Sequence, residues 1–216
     1  MDKTIHLLSS GLDSPVAACL LVKASIEPVF LFFDARPFNT LKTRETAIKL
    51  ARKISGLAGK PLVMHVAPHG ATLKAIQAAW SFRELKYTCI FCKRVYYMVA
   101  KALALREGAI AVSTGEIIGE QASQTIDNLA LIQDAVGNFL VFRPLLCVDK
   151  VDVIAMAREF GTFDISSEAK DPCRAVPRYP MTHGKIDAYA PIEAKVDVQA
   201  IVARVLSELE TFKVDP

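Results

Sequence analysis

Short apolar runs alternate along this chain with longer stretches in which apolar residues return every three to four positions. Thr4 to Leu8 has the length and composition of a buried strand, and Ser14 to Ala24 carries Val16, Cys19, Leu20 and Lys23 at helical spacing. Pro28 to Phe33 reads as a second strand, followed by a polar loop from Asp34 to Thr40 and a charged amphipathic helix to about Ser55. Leu62 to Val66 gives a third strand, and helix returns after His69 as far as about Trp80. A long helix is predicted over Tyr87 to Arg106, a fourth strand over Ala109 to Ser113, a helix over Ile126 to Val136 and a fifth strand over Phe139 to Phe142. Asp149 is placed to cap a helix ending near Phe160, where Gly161 supplies a left-handed stop. Strands alternating with helices predict an α/β fold, a doubly wound parallel sheet with helices on both faces. Residues 164–191, with Pro172, Pro177, Pro180 and Pro191 among Ser, Asp and Gly, break the pattern and read as mostly irregular chain. A long loop of that kind in a compact domain is usually functional or mobile. An amphipathic helix is expected over about Val196 to Phe212. One domain is therefore assigned to 1–192, with 193–216 as a C-terminal helix packed on it.

Composition fits that picture and narrows the setting. The chain has 216 residues, 52% hydrophobic and 23% charged, enough to bury one sizeable core. No apolar run approaches the roughly 18 residues of a membrane span, and the first residues lack the order of a signal peptide, so a soluble cytoplasmic protein is expected, with no membrane partner. An odd number of cysteines, five, argues against a disulfide framework and for reduced thiols. Against 23 acidic residues stand 26 Lys and Arg, a net charge of +3 that permits nucleic-acid binding without demanding it. Basic residues gather at Arg36, Lys42 and Arg44, at Arg83, Lys86, Lys93 and Arg94, and at Arg174, Arg178 and Lys185. Solvated surface charge accounts for such groups as readily as an anionic substrate does.

The sharpest chemical signal is Ser9-Ser10-Gly11-Leu12-Asp13-Ser14-Pro15, between the first strand and the first helix. A phosphate site needs converging backbone N–H groups, small residues and a helix N-terminus. Ser9, Ser10 and Ser14 add hydroxyl donors, Gly11 offers close approach and unusual φ, Asp13 or Ser14 can cap the helix, and Pro15 can open it. Neither a Walker loop nor G-x-G-x-x-G is present. A carboxylate beside phosphate makes sense if Asp13 holds Mg²⁺, or a donor that in turn grips pyrophosphate.

The segment resembles the PP-loop S-G-G-x-D-S of ATP pyrophosphatases, the adenine nucleotide alpha hydrolase-like enzymes that cleave ATP to AMP and pyrophosphate while adenylating a carbonyl oxygen. It departs from that pattern at Ser10, where the first glycine would stand. With SPVA after the loop, CxxCKR at 89–94, TGExxGEQASQTxxN at 114–128 and RPLxxxDK at 143–150, the chain resembles the catalytic domain of tRNA 4-thiouridine synthetases (ThiI), in the archaeal form, over residues 4 to about 180. The resemblance implies an ATP- and Mg²⁺-using tRNA uridine sulfurtransferase that adenylates O4 of uridine 8 and replaces it with sulfur. It implies that Ser9, Gly11, Asp13 and Ser14 hold pyrophosphate, that Lys93 and Arg94 face phosphate or substrate, and that Gly115, Gln121 and Thr125 line the nucleotide site. Family members also carry an N-terminal ferredoxin-like and THUMP region, and this chain opens at strand one. Either a separate THUMP-type RNA-binding protein presents tRNA, or the basic groups named above suffice, or the substrate is smaller; a homodimer is expected by analogy.

Cys89 and Cys92 form C-x-x-C at a helix start, and Cys173 lies in the proline-rich loop. Cysteines at these positions resemble the three that carry an iron–sulfur (4Fe–4S) cluster in methanogen-type relatives, where an open iron could take up hydrosulfide, with sulfide or a persulfide carrier as sulfur donor; Cys173 is then essential to the transfer. Three other readings stay open: zinc held by Cys89, Cys92, Cys173 and His183; a Cys89–Cys92 redox pair with a persulfide on Cys173; and inert packing. Cys19 and Cys147, among apolar residues, read as core thiols. Two further functions remain open as well: adenylation of a small molecule, in thiamine thiazole or modified-base synthesis, and a nucleotide- or cluster-binding accessory subunit.

Overall fold

A computed structural model describes residues 2–168 and 171–216. The sheet opens with β1 (Lys3–Leu7), β2 (Glu27–Asp34) and β3 (Leu62–Pro68), continues with β4 (Ala111–Ser113) and β5 (Val141–Phe142), and ends with β6 (Glu210–Val214). Their order across the sheet is β5-β4-β1-β2-β3-β6. The first five run parallel, as expected, and β6 pairs antiparallel with β3, Met64 opposite Phe212.

The run Pro28–Phe33 explains the layering. Successive side chains on a strand point to opposite faces. Val29, Leu31 and Phe33 join one apolar cluster, and Phe30 and Phe32 join another, so the strand needs apolar cover on both sides. On one face lie α1 (Asp13–Lys23), α2 (Leu41–Ala58), α6 (Lys150–Glu159) and α7 (Phe163–Glu168); on the other, α3 (Gly70–Ala79), α4 (Thr88–Glu107), α5 (Ile126–Asp134) and α9 (Val198–Ser207), preceded by α8 (Ile186–Glu193). In α4, Phe91, Val95, Val99 and Leu103 recur at helical spacing and are fully buried. Burying each such side chain contributes about 1.5–3 kcal/mol.

Several boundaries follow the expectations closely. Asp149 caps α6 by accepting a hydrogen bond from the Val151 amide at 2.9 Å, and Gly161 sits at φ +69° after its end. Other expectations need correcting. Residues 164–191 hold short helices only at their two ends, α7 and α8; the chain between them, residues 171–185, is irregular as expected, and Ala169 and Lys170 lie outside the described residues. The continuous helix expected over Val196–Phe212 ends at Ser207, and the chain then turns into β6. Among the described residues no helix is long and apolar enough to cross a membrane.

Candidate nucleotide and thiol site

In this strand order the connections leave in opposite directions on either side of β1, placing a topological switch between β1 and β4. Ligands of open α/β sheets bind beyond the carboxyl ends of strands at such a point. Here the loop after β1, residues 8–12, meets the loop after β4, residues 114–125. Their contact is close: a Cβ on Gly115 would lie 2.4 Å from the Ser14 amide nitrogen and 2.5 Å from its Cα, so only glycine fits. Gly11, expected to need unusual φ, is not among the positive-φ residues, and a Cβ there would meet only Ser9 Oγ, at 3.4 Å. The tight approach belongs to the second loop.

A buried histidine ties these parts together. The Ser14 carbonyl can only accept, so His6 donates to it from Nε2 at 2.8 Å; His6 Nδ1 then accepts from Ser113 Oγ at 2.9 Å. Burial, only partly offset by the bond to Ser14, pushes the His6 pKa down to about 4 and keeps the ring neutral. The loop is braced from within as well. Ser9 donates its amide to Ser14 Oγ at 2.8 Å, Gly11 donates its amide to Ser9 Oγ at 3.2 Å, and the two hydroxyls are 2.9 Å apart. One hydroxyl hydrogen of that pair is left over for a ligand. Neither Asp13 nor Ser14 caps α1. The helix starts at Asp13 without a side-chain cap, and Pro15 falls at the third position of the first turn, where its missing N–H leaves no helical bond broken. The bare N-terminus therefore faces the cavity.

That cavity, about 400 Å³, is lined by Ser9, Ser10, Gly11, Asp13, Ser14, Lys93, Gly115, Gln121 and Cys173, all singled out from the sequence. Its floor includes Leu31 and a stacked pair, Phe33 and Tyr96, with ring centroids 3.8 Å apart. One cation, Lys93, lines it, and a second, Lys150, stands behind the lining residue Asp13. Lys150 Nζ donates to Asp13 Oδ1 at 2.6 Å and lies 3.2 Å from Glu120, so the Asp13 carboxylate grips a donor. Partial burial lowers the Lys150 pKa, but Asp13 and Glu120 outweigh it and hold the ammonium above its ordinary range. Lys93 Nζ donates to Glu116 Oε1 at 3.0 Å; Glu116 also accepts from Tyr97 at 2.5 Å and from Arg143 Nε at 3.0 Å. Burial raises the Glu116 pKa, and Lys93, Tyr97 and Arg143 together pull it below the usual carboxylate range.

Two expected site residues are elsewhere. Adjacent helical residues point about 100° apart, so Lys93 and Arg94 cannot share a target. Arg94 is buried against α5 and α8: it pairs with Glu193 at 2.9 Å and Asp134 at 3.0 Å, bonds the Leu131 carbonyl, and lies 5.2 Å from the Tyr189 ring centroid. It locks helices together instead of facing phosphate. Thr125 caps α5 by accepting from the Asn128 amide and donates to the Thr182 carbonyl at 2.6 Å, outside the cavity lining. Sequence reasoning missed Lys150, Glu116 and Arg143, although each stands inside a quoted motif: RPLxxxDK holds two and TGE the third.

Of the three thiols, Cys173 lines the same cavity, and Cys89 and Cys92 lie near it. Burial, with the neighbouring thiols Cys89 and Cys173, pushes Cys92 well above the ordinary cysteine range. Burial and Cys173 likewise raise Cys89, against a lowering by Lys93. His69, unflagged by any motif, contacts Cys92 Sγ through Nε2 at 3.1 Å, and burial pushes its pKa down to about 3. Among the described residues no three His, Cys, Asp or Glu side chains are arranged to hold a single metal ion, and His183 is exposed and paired with Asp127 at 3.0 Å. The four-ligand zinc site with His183 therefore does not fit. Cys19 is a core thiol, pushed up to about 12 by burial, whereas Cys147, expected in the core, is exposed.

The family model of the thiamine biosynthesis protein ThiI matches residues 1–198. A probable tRNA sulfurtransferase of Moorella thermoacetica is 36% identical over 97% of this chain, and another from Methanobrevibacter smithii is 36% identical over 86% of it. This chain covers 53% and 48% of those proteins, about half their length. The crystal structure of a 4-thiouridine synthetase–RNA complex with bound ATP superposes with a TM-score of 0.92 at 27% identity, over 99% of this chain and 55% of that one. The fold is shared more distantly with an NMN synthetase from Francisella tularensis, at a TM-score of 0.60 and 18% identity. The α/β fold, the mostly parallel sheet and the motif set agree with the family model over nearly the whole chain: it belongs to the ThiI family, as its PP-loop catalytic domain.

Proposed function

We propose that this chain binds ATP and adenylates a uridine carbonyl oxygen of tRNA, which a sulfur nucleophile then replaces to give 4-thiouridine. One observation carries the reading: the Ser9–Ser14 loop, Lys93 and Cys173 line a single cavity, and Lys150 is bonded to its lining residue Asp13. Attack of the base oxygen on the α-phosphorus releases pyrophosphate, and negative charge grows on the departing phosphates. The α1 N-terminus, the leftover Ser hydroxyl, Lys93 and Lys150 are aimed where that charge develops, and fixed donors in a partly dry site stabilise it strongly. Asp13 holds Lys150 in place. Mg²⁺, when bound with ATP, would neutralise phosphate charge beside Asp13. In the second step hydrosulfide attacks C4, the C–O bond to the adenylate breaks, AMP leaves and a proton is released; no electrons are exchanged.

Cys89, Cys92 and Cys173 are the residues that would hold an iron–sulfur cluster, the chemistry it supplies being a coordination position for that hydrosulfide. Their mutual proximity supports the assignment. On this reading the partners are tRNA, presented by a THUMP-type region or protein, and a sulfide or persulfide donor, in a cytoplasmic setting and as a dimer. The test is pyrophosphate release with ATP, sulfide and unmodified tRNA, followed by nucleoside mass spectrometry. Wild type is expected to form 4-thiouridine, and Cys173→Ala to keep releasing pyrophosphate without it. Thiolation by Cys173→Ala would refute the role of that thiol; ATP cleavage without 4-thiouridine in wild type would point to a smaller acceptor.

A further inference from the structure

Behind the loop that carries Cys173 lies a second cavity of about 330 Å³, within the roughly 300–1,000 Å³ of ligand pockets. Cys173 lines the nucleotide cavity and Ala175 lines this one, so a single loop is the wall between them. The wall is fixed at both ends: Arg174 donates its amide to the Phe38 carbonyl at 2.7 Å, and Met181 donates to the Lys86 carbonyl at 2.9 Å.

The lining combines two features rarely left in water together. Phe82 and Tyr179 are the most exposed large hydrophobic residues described, at 91% and 74%. Exposed aromatic surface gathered at one concave place marks a binding site. Three cations, Arg83, Lys86 and Arg178, line the same cavity, and none forms an ion pair among the described residues. The nearby carboxylate that could neutralise them, Glu84, is already engaged by Lys195 at 2.7 Å. The Arg178 guanidinium lies 5.3 Å from the Tyr179 ring centroid, which holds that ring beside positive charge.

Planar apolar faces with unneutralised cations suit an unpaired nucleotide, whose base stacks and whose phosphate pairs. A duplex hides its base faces and does not fit this chemistry. Resting on the reading of RNA as substrate, we propose that this cavity takes an unpaired nucleotide neighbouring the one modified, its base against Phe82 and Tyr179 and its backbone against Arg83, Lys86 and Arg178. Held there, the strand is kept open at the wall behind which the reacting base must sit.

The test compares wild type with Phe82→Ala/Tyr179→Ala, both side chains being exposed enough to remove without loss of the core. Each protein is titrated with unmodified tRNA, with a short single-stranded oligoribonucleotide and with ATP. The double variant is expected to lose about tenfold or more in affinity for both RNAs while ATP affinity stays unchanged. Replacing Arg83, Lys86 and Arg178 together by Gln is expected to flatten the log–log salt dependence of oligoribonucleotide binding by about 2, at roughly 0.7 per cation. Equal RNA binding by wild type and the aromatic double variant overturns the site and leaves the substrate reading intact. Absence of RNA binding by wild type overturns both. Unchanged RNA binding with lost sulfur uptake from a persulfide-carrying protein assigns the face to a protein donor and overturns the proposal.

Discussion

Lys150 and Asp13 open helices α6 and α1, 137 positions apart in the chain, and meet at 2.6 Å, with Glu120 also bonded to the ammonium. If the proposed function holds, the Asp13 carboxylate acts by aiming this cation, so the two residues should behave as one unit. Lys150→Ala and Asp13→Ala are each expected to slow pyrophosphate release about 10²–10³-fold, the scale of losing one charge-stabilising donor, and the double variant about as much as either single. Additive losses, measured in a double-mutant cycle, would separate their roles. Asp13 was legible in the sequence because a carboxylate in a phosphate loop is chemically odd. Lys150 was not, because sequence shows which residues lie near in the chain and its partner opens a helix far from it in sequence. The Lys93–Arg94 pair shows the reverse error. Both cations were given one target, while the helical repeat sends one into the cavity and the other into the contact of α4 with α5 and α8.

At the level of elements, β1, β4 and the helix that follows β1 are set against each other by Gly115 and His6. The prediction is sharp at the glycine: in Gly115→Ala the new methyl must displace the start of α1, at a cost of about 1–3 kcal/mol in stability. The variant is expected to fold, melt earlier and lose ATP affinity, as calorimetry and nucleotide titration would show; wild-type ATP affinity would mean that the two loops do not form one site. Sequence pattern located the five parallel strands because each carries apolar residues in a short run, buried on both faces in β2 and β4. The edge strand β6 escaped for the opposite reason. In ETFKV only Val214 is buried, so the segment looks like the polar end of the amphipathic α9. The two short helices within 163–193 were hidden by prolines, one of which, Pro191, lies inside α8.

Over the whole molecule, buried neutral histidines set an acid limit. The folded pKa values of His6, about 4, and His69, about 3, lie below the ordinary value of about 6.5. The unfolded chain therefore takes up protons first as pH falls. Their contribution to stability is complete above about pH 6.5 and shrinks as pH drops toward those folded values. Urea midpoints are expected to fall between pH 6.5 and 5, above the range of ordinary carboxylates, and His6→Asn to show a shallower fall; an unchanged slope would show that His6 is not buried in the neutral form. The α/β class was readable in advance from periodicity, and the motif order named most of the residues that line the cavity between the β1 and β4 loops. The second cavity was not, because it depends on how the 173–179 loop folds back over the turn before α4. The antiparallel partner of β3 also imposes a timetable. Leu62–Val66 is synthesised long before Glu210–Val214, and at about 5–20 residues per second the ribosome leaves that strand's outer edge bare for roughly 7–30 s. During that interval its free N–H and C=O groups are open to any other extended chain, so this edge of the nascent protein is most prone to mispairing before β6 emerges.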